Sequence, residues 1–344
     1  MKLKSKIILI TLVTVSTVAL GAGITYAASY VAPEEVVTLQ YGSMTASDYN
    51  FQDLAYYFDK DSGIAEYNAV GNGSKTTFAL DATPTSIISV SVDGTPAAYT
   101  LNGKNLTITA GAPAVGAALH VSYRTRPGVS VAPFLIKNSQ HLRNLAKLQK
   151  YGAFPDSQYV SLASSFQFEG TAMEPIGTST YPFTGVFNGN NYVITGLKVS
   201  TTLTYVGMFG VLGTNSKTGT VHSLVLAGPD INYTGSKAIK IGIVAGSRNN
   251  TENKESIINH VEIYGGTSSF KAVRAKLHTG SGAVTSGIIV GENGLEESGV
   301  DNVGFVSSLS NNPSYSSNKN YVSSLASSQQ YYFWLNGDSV VNSN

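Results

Sequence analysis

The chain has 344 residues, a formal net charge of +1, only 12% charged residues and no cysteine. That balance offers no electrostatic basis for binding nucleic acid or an anionic membrane, and it excludes disulfides and thiolate metal sites. Gly (35) and Tyr (20) are plentiful, and the composition points to an all-β protein with many turns and polar strand faces rather than a helical bundle.

Residues 1–27 read as a secretory signal peptide. Lys2, Lys4 and Lys6 form a positive start, Ile7 to Leu20 is apolar or Ser/Thr, and Thr25-Tyr26-Ala27 is a small-residue cleavage site. A retained membrane anchor is the alternative, but the run is shorter than the about 20 apolar residues a span needs. Cleavage removes three lysines and no acid, taking the formal charge from +1 to −2. The expectation is a secreted, extracellular protein associated with a cell surface, with no integral membrane span after cleavage. Residues 28–63 are a leader. Within it Val36–Tyr41 has strand character and Asp53–Phe58 reads as an amphipathic turn of helix. The leader is either a partly ordered extension or a strand that adds to another subunit's sheet edge.

Residues 64–126 read as a small β-sandwich. Lys75–Leu80, Ile87–Val92, Ala98–Leu101, Asn105–Thr109 and Ala118–Tyr123 are short β-rich runs separated by turn signals. Asn102-Gly103 is the strongest of these, read as the two central residues of a tight hairpin. The order Val92-Asp-Gly94, Tyr99-Thr-Leu101, Ala112-Pro-Ala-Val-Gly116 and Val121-Ser-Tyr123 resembles accessory β-modules of phage fibre and bacterial surface proteins. A linker, 127–136, opens on Pro127-Gly128. Residues 137–152 then form a helix that Asn138 or Ser139 can cap. Leu142, Leu145, Ala146 and Leu148 share one face and Gly152 follows the end. A short amphipathic helix placed before a repeat array reads as its lid.

Residues 153–310 repeat. Ile194–Val199, Val221–Leu226, Ile258–Ile263 and Val300–Phe305 share one apolar pattern. They alternate with Val206-Gly-Met-Phe-Gly210, Ile241-Gly-Ile-Val-Ala-Gly246 and Ser286-Gly-Ile-Ile-Val-Gly291. Such self-similarity signals a solenoid. Leu197, Leu224, Val261 and Val303 are expected to stack as one interior ladder. Gly207, Gly210, Gly242, Gly246, Gly287 and Gly291 would permit bends or close backbone approach on a second wall. Residues 267–284 break the spacing and read as a loop or hairpin leaving the stack. Residues 311–344 form a C-terminal cap or tail.

Tyr159–Leu162, Glu174-Pro-Ile-Gly177, Pro182-Phe-Thr-Gly-Val-Phe-Asn-Gly189, Tyr192–Leu197 and Val206–Gly210 resemble the repeats of GLUG-motif bacterial surface proteins, adhesin-like chains also found as stalks of immunoglobulin-A proteases. The resemblance covers roughly residues 133–310 and implies a right-handed parallel β-helix displayed on or near a cell surface. Gly177, Gly185 and Gly189 belong to its first, best-formed repeat. The chain departs from the family's pattern at Glu174, where an aromatic is usual, and at Asn188-Gly-Asn-Asn191, where Asp-Gly-Asn-Gly is usual.

β-Helices also host polysaccharide lyases and glycosidases, which need positioned carboxylates. The candidates are Glu169, Glu174, Asp230, Glu262, Glu296, Glu297 and Asp301. Glu262 should point outward between Val225 and Gly304, with no second acid beside it. His222 and His260 occupy adjacent repeats but are offset by one, since Ser223 matches His260, and strand alternation would turn them to opposite sides. No His-Glu-x-x-His and no phosphate-cradling loop is present. The aromatic run Tyr331-Tyr332-Phe333-Trp334-Leu335 is either a hydrophobic plug or a platform, with Tyr331, Tyr332 and Trp334 as contacts for a sugar or partner. The sequence therefore points to a non-catalytic structural or adhesive protein that needs no cofactor or metal. Its partners would be a glycan or protein on a cell or matrix surface, or copies of itself. The alternatives are a polysaccharide-active enzyme and an extracellular filament subunit assembled by strand donation.

Overall fold

The computed structural model describes residues 54–251 and 254–264, then the strands Lys276–His278, Val284–Ser286, Val290–Glu292, Val300–Val306, Ser314–Tyr315, Gln330–Asn336 and Ser339–Ser343. All of them belong to one compact unit, Val37–Asn344. Residues 1–53, which hold the expected signal peptide and the Val36–Tyr41 run, lie outside the described residues. The described chain is all-β apart from the helix Ser139–Lys150 and a helical turn at Leu54–Ala55. Among the described residues no helix is long and apolar enough to cross a membrane.

The end of the leader is part of the core rather than an extension. Leu54 and Phe58 share one side of the helical turn and are buried, while Tyr56 on the other side is exposed. Phe58 packs against Phe134 and Phe154 at centroid separations of 4.8 and 5.9 Å.

Residues 64–124 form two antiparallel sheets around one buried cluster. Ile64–Val70, Ala118–Arg124, Ser86–Val92 and Thr95–Pro96 make the first, and Thr77–Ala79, Asn105–Ile108 and Tyr99–Asn102 the second, each in that spatial order. Phe78, Leu80, Val90, Leu106, Ile108, Val121 and Tyr123 fill the space between. Tyr123 is fully buried. Its hydroxyl accepts the Ala82 N–H at 3.1 Å, and burial holds its pKa above the usual phenol value. The hairpins exchange the expected turn chemistry. Asn102 pairs with Asn105, so the central residues are Gly103 and Lys104, and only Gly103 (φ 58°) is left-handed. At Asp93-Gly94 both central residues are left-handed (φ 49° and 76°), as the tight type I′ turn requires.

Beyond the two-sheet module the chain builds five ladders of parallel strands. The first runs Phe134–Ile136, Tyr159–Leu162, Val186–Asn188, Thr220–His222 and Ile257–Tyr264. The second runs Phe166–Gln167, Val193–Thr195, Val225–Ala227, the continuation of Ile257–Tyr264, and Val300–Val306. The third contains Lys198–Thr201, Asp230–Tyr233 and Lys276–His278. The fourth contains Tyr205–Val206, Ile239–Ile241 and Val284–Ser286, and the fifth Phe209–Leu212, Ala245–Arg248 and Val290–Glu292. The chain visits the ladders in the same order on each round. Inward residues therefore meet their counterparts: Phe134, Val160, Phe187, Val221 and Ile258 form one buried column, and Ile194, Leu226 and Ile263 another. Two segments change assignment. Residues 134–136, read as linker, are the first strand of a ladder, and residues 276–278, read as part of an insertion, are a rung of the third.

The expected interior ladder is out of register at one end. Leu224 lies beside Val261, and Val261 pairs with Val303, but Leu197 belongs one corner further along the chain. Leu197 accepts the Asp230 N–H at 2.7 Å, whereas the residue in register with Leu224 is Tyr192. The shared pattern is that of a corner. An inward apolar residue is followed by a spacer, one left-handed residue, a buried corner residue, a spacer and a second inward residue. Gly196 (φ 67°), Ser223 (φ 53°) and His260 (φ 49°) hold the left-handed position in Ile194–Val199, Val221–Leu226 and Ile258–Ile263. The first of these turns from the second ladder to the third, and the other two from the first to the second. Between Asn188 and Val193 the same corner carries additional residues, with Asn190 and Asn191 both left-handed.

The repeat glycines serve close approach rather than bending. A Cβ at Gly185, Gly189, Gly207, Gly210 or Gly246 would stand 2.2–2.7 Å from backbone of an adjacent rung. Gly242 donates its N–H to Val206 O at 3.0 Å. Gly177 is the exception in adopting a left-handed φ of 84°. Gly291 lies within Val290–Glu292, level with Gly246, and Gly287 lies outside the described residues.

The helix caps the first rungs with polar side chains. Asn138 accepts the His141 N–H at 2.9 Å, and Leu142, Leu145, Ala146 and Leu148 are buried in the main core. Ser139 Oγ takes the Glu169 N–H at 2.8 Å. Arg143 donates to Glu169 O and Thr171 O, and Gln149 to Tyr181 O and Pro182 O. These bonds satisfy backbone groups in the connections between strands. At the other end, Gln330–Asn336 pairs antiparallel with Lys276–His278 and turns back through Ser339–Ser343.

Candidate functional site

The predicted contacts Tyr331, Tyr332 and Trp334 lie on Gln330–Asn336. Tyr331 stands opposite Leu277, Tyr332 opposite Lys276 and Trp334 opposite Val341. The backbone is thus an antiparallel hairpin on the edge of the third ladder, the mode of closure that protects a sheet edge.

The candidate carboxylates are spread over different walls. Asp230 sits between Lys198 and Lys276 in register. Glu262 stands between Val225 and Gly304, as the repeat alignment predicts. Asp301 is opposite Asn259, and Glu296 and Glu297 lie outside the described residues. Glu169 meets the helix through its backbone. Among the described residues no three His, Asp or Glu side chains gather in a metal-holding group.

Glu174 explains its own departure from the repeat pattern. It is about one-third exposed, bonds Lys150 Nζ at 3.2 Å and accepts Thr201 Oγ1 at 2.5 Å. The carboxylate thereby ties the helix end to the third ladder. Elsewhere, Asp156 bonds Lys217 Nζ and Thr184 Oγ1. Burial raises its pKa, but the Lys217 and Thr184 contacts outweigh that and leave it below the usual carboxylate value.

The histidine pair sits at a corner of the ladders. His222 is in register with Asn259, so the offset of one is real. The left-handed residues Ser223 and His260 nevertheless interrupt strand alternation at that corner. Burial lowers the His222 pKa first, and the charge of nearby His260 lowers it further. The neutral ring bonds Ser223 Oγ at 3.2 Å. The unfolded chain therefore takes up this proton first as pH falls. His222 stability is fully present above 6.5, the ordinary histidine value, and is lost as pH drops through the lower folded pKa. Urea unfolding at about pH 7.5 and pH 5 should show His222→Asn losing less stability on acidification than the native chain. Equal losses would refute the assignment.

His222 also belongs to a registered polar column, in which Ser161 is buried and Asn188, His222 and Asn259 are half-buried. Ser161, Asn188, His222, Asn259 and the Asp301 position follow one another in register along the first ladder and its extension. A parallel column runs Tyr159, Val186, Thr220 and Ile257, with Tyr159 and Ile257 exposed. In the two-sheet module, Tyr99–Asn102 is an edge strand with all four residues exposed.

An aromatic feature at the helix end escaped the sequence reading. Tyr151 and Tyr181 are 43% and 44% exposed. The Tyr181 ring lies over Gly152, where a Cβ would come within 2.5 Å of Cε1. Gly152 is left-handed (φ 67°) and ends the helix. Tyr181 N–H donates to Thr178 Oγ1 at 3.0 Å, and Tyr181 O accepts Thr178 N–H and Gln149 Nε2. Both of its backbone polar groups are therefore tied. Gly152 is legible as a helix stop, but its contact with Tyr181 depends on how the next round folds back.

No family model matches the chain. No solved structure matches it. A protein of Evansella cellulosilytica named "Putative Gly-rich membrane protein" is similar, with 33% identity over 138 residues, which is 40% of this chain and 15% of that protein.

Proposed function

We propose that the chain is a secreted or cell-surface protein of structural or adhesive role, non-catalytic, whose ladders are the walls of a right-handed parallel β-helix. The helix holds outward side chains at fixed spacing for a glycan or protein on a cell or matrix surface. The observation that carries this reading is the registered column Asn188, His222 and Asn259, half-buried beside the buried column Phe187, Val221 and Ile258. Parallel rungs repeat about every 4.8 Å, so such a column presents evenly spaced hydrogen-bonding groups to an extended ligand. Many weak contacts of this kind sum to useful avidity.

The test is binding of residues 28–344 to glycan arrays and matrix proteins, run beside a polysaccharide-degradation screen. Stable binding without degradation is expected. Degradation without stable binding would overturn the reading in favour of an enzyme. The open edge Tyr99–Asn102 supports a second reading, a filament subunit that accepts a donated strand. Concentration-dependent polymers of residues 28–344, absent from residues 54–344, would favour it.

A further inference from the structure

We propose that Asn102 is a site of spontaneous covalent modification, at which its carboxamide closes onto the Gly103 amide nitrogen and reopens as aspartate or isoaspartate. The inference is independent of the display reading above. The Gly103 nitrogen loses its proton to a base and attacks Asn102 Cγ. An N–Cγ bond forms and closes a succinimide ring, while the Cγ–Nδ2 bond breaks and ammonia leaves. Water then opens either ring carbonyl. One product is aspartate, and the other is isoaspartate, whose backbone runs through the former side chain.

A glycine after the asparagine favours this step, because no Cβ shields the nitrogen. On sequence alone, Asn72-Gly73, Asn102-Gly103 and Asn188-Gly189 stand equal among the described residues. The structure separates them by what holds the attacking nitrogen. Gly73 N–H donates to Pro113 O at 2.9 Å, and Gly189 N–H to His222 O at 2.8 Å. An amide so engaged reaches a base only when its surroundings open. Gly103 lies in the turn between Asn102 and Asn105, and its N–H has no partner among the described residues.

The carboxamides follow the same order. Asn72 Oδ1 accepts Ser74 N–H at 3.0 Å, Ser74 Oγ at 3.2 Å and Lys75 N–H at 2.7 Å, which fixes the plane of its amide. Asn188 Oδ1 accepts Asn190 N–H at 2.9 Å. The Asn102 carboxamide makes no hydrogen bond to the described residues. Residues 99–105 are all exposed, and no atom lies within 4 Å of a Cβ placed on Gly103. Base, water and a tetrahedral carbon therefore all have room.

Either product places a carboxylate at the end of the edge strand Tyr99–Asn102, and isoaspartate adds a methylene to the backbone where Asn102 pairs with Asn105. Charge and irregular backbone both close an exposed sheet edge to further strands. The modification thus alters the edge that strand donation would use.

The experiment incubates residues 28–344 in mildly alkaline buffer, folded and in guanidinium chloride, and follows the three sites by peptide mapping and mass spectrometry. In the folded protein Asn102 should convert about tenfold faster than Asn72 or Asn188, the factor that opening one bonded amide imposes. In denaturant all three nitrogens are free, and the rates should converge to within about threefold. Gly103→Ala should slow conversion at Asn102 and leave Asn72 and Asn188 unchanged. Conversion at Asn72 or Asn188 as fast as at Asn102 in the folded protein would overturn the assignment. The same preference for Asn102 in denaturant would also overturn it, because the selectivity would then belong to the sequence and not to the fold.

Discussion

Phe209→Ala should lower the stability of the ladder region by about 4 kcal/mol, close to the upper end for a buried aromatic truncation. Phe209 is fully buried, with Phe183 at 5.3 Å and Phe187 edge-on at 5.4 Å between ring centres. The three rings come from different stretches of the first repeat. On the next rung the in-register residue is Ala245, too small to fill the space that the ring would vacate. Lost transfer energy, lost aromatic contact and a residual cavity therefore add together. Thermal melting should show a drop of roughly 10 °C. Phe209→Leu, which keeps most of the volume, should cost about 1.5 kcal/mol. A loss under about 1 kcal/mol for the alanine variant would mean that the interior collapses freely around the gap.

Gly189→Ala should be nearly as damaging, at about 3 kcal/mol, although it removes nothing. The added Cβ would stand 2.3 Å from Ser223 O and 2.5 Å from Leu224 Cα. Both are backbone atoms of the adjacent rung, which cannot rotate away. Gly189 N–H also donates to His222 O at 2.8 Å, so separating the rungs would sacrifice a ladder bond. Gly103→Ala is the internal control. That position has open space around its Cβ, and its cost should be confined to the left-handed φ of 58°, about 1 kcal/mol. Chemical denaturation of the two variants separates the effects. If they lose equal stability, inter-rung approach is not what Gly189 provides.

Both predictions turn on contacts between rounds of the chain, where sequence reading was least complete. The apolar pattern in Ile194–Val199, Val221–Leu226 and Ile258–Ile263 was legible because it is local. One left-handed residue bends the strand, and the apolar residues on either side must then turn inward together. Pattern alone cannot say which corner a given copy builds, so Leu197 was placed beside Leu224 when it stands one corner further along. Residues 276–278 likewise carry too little local signal to mark a rung. They are one because Asp230–Tyr233 supplies the parallel edge. Strand alternation likewise holds only within a strand and is interrupted at the left-handed Ser223 and His260.

By itself, then, the sequence determined the all-β character, the helix with buried leucines and a cap at Asn138 or Ser139, the paired glycine segments and the Glu262 neighbours. Each of these depends on short-range chemistry: polar and apolar alternation, a capping oxygen, or a missing Cβ. The tertiary structure alone decided the register of the rungs, the burial of Leu54 and Phe58, the bonds from Arg143 and Gln149 to the connections between strands, and the meeting of Tyr181 with Gly152. Those features join residues far apart in the chain. They exist only once a full round has closed and brought the next backbone to strand-pairing distance.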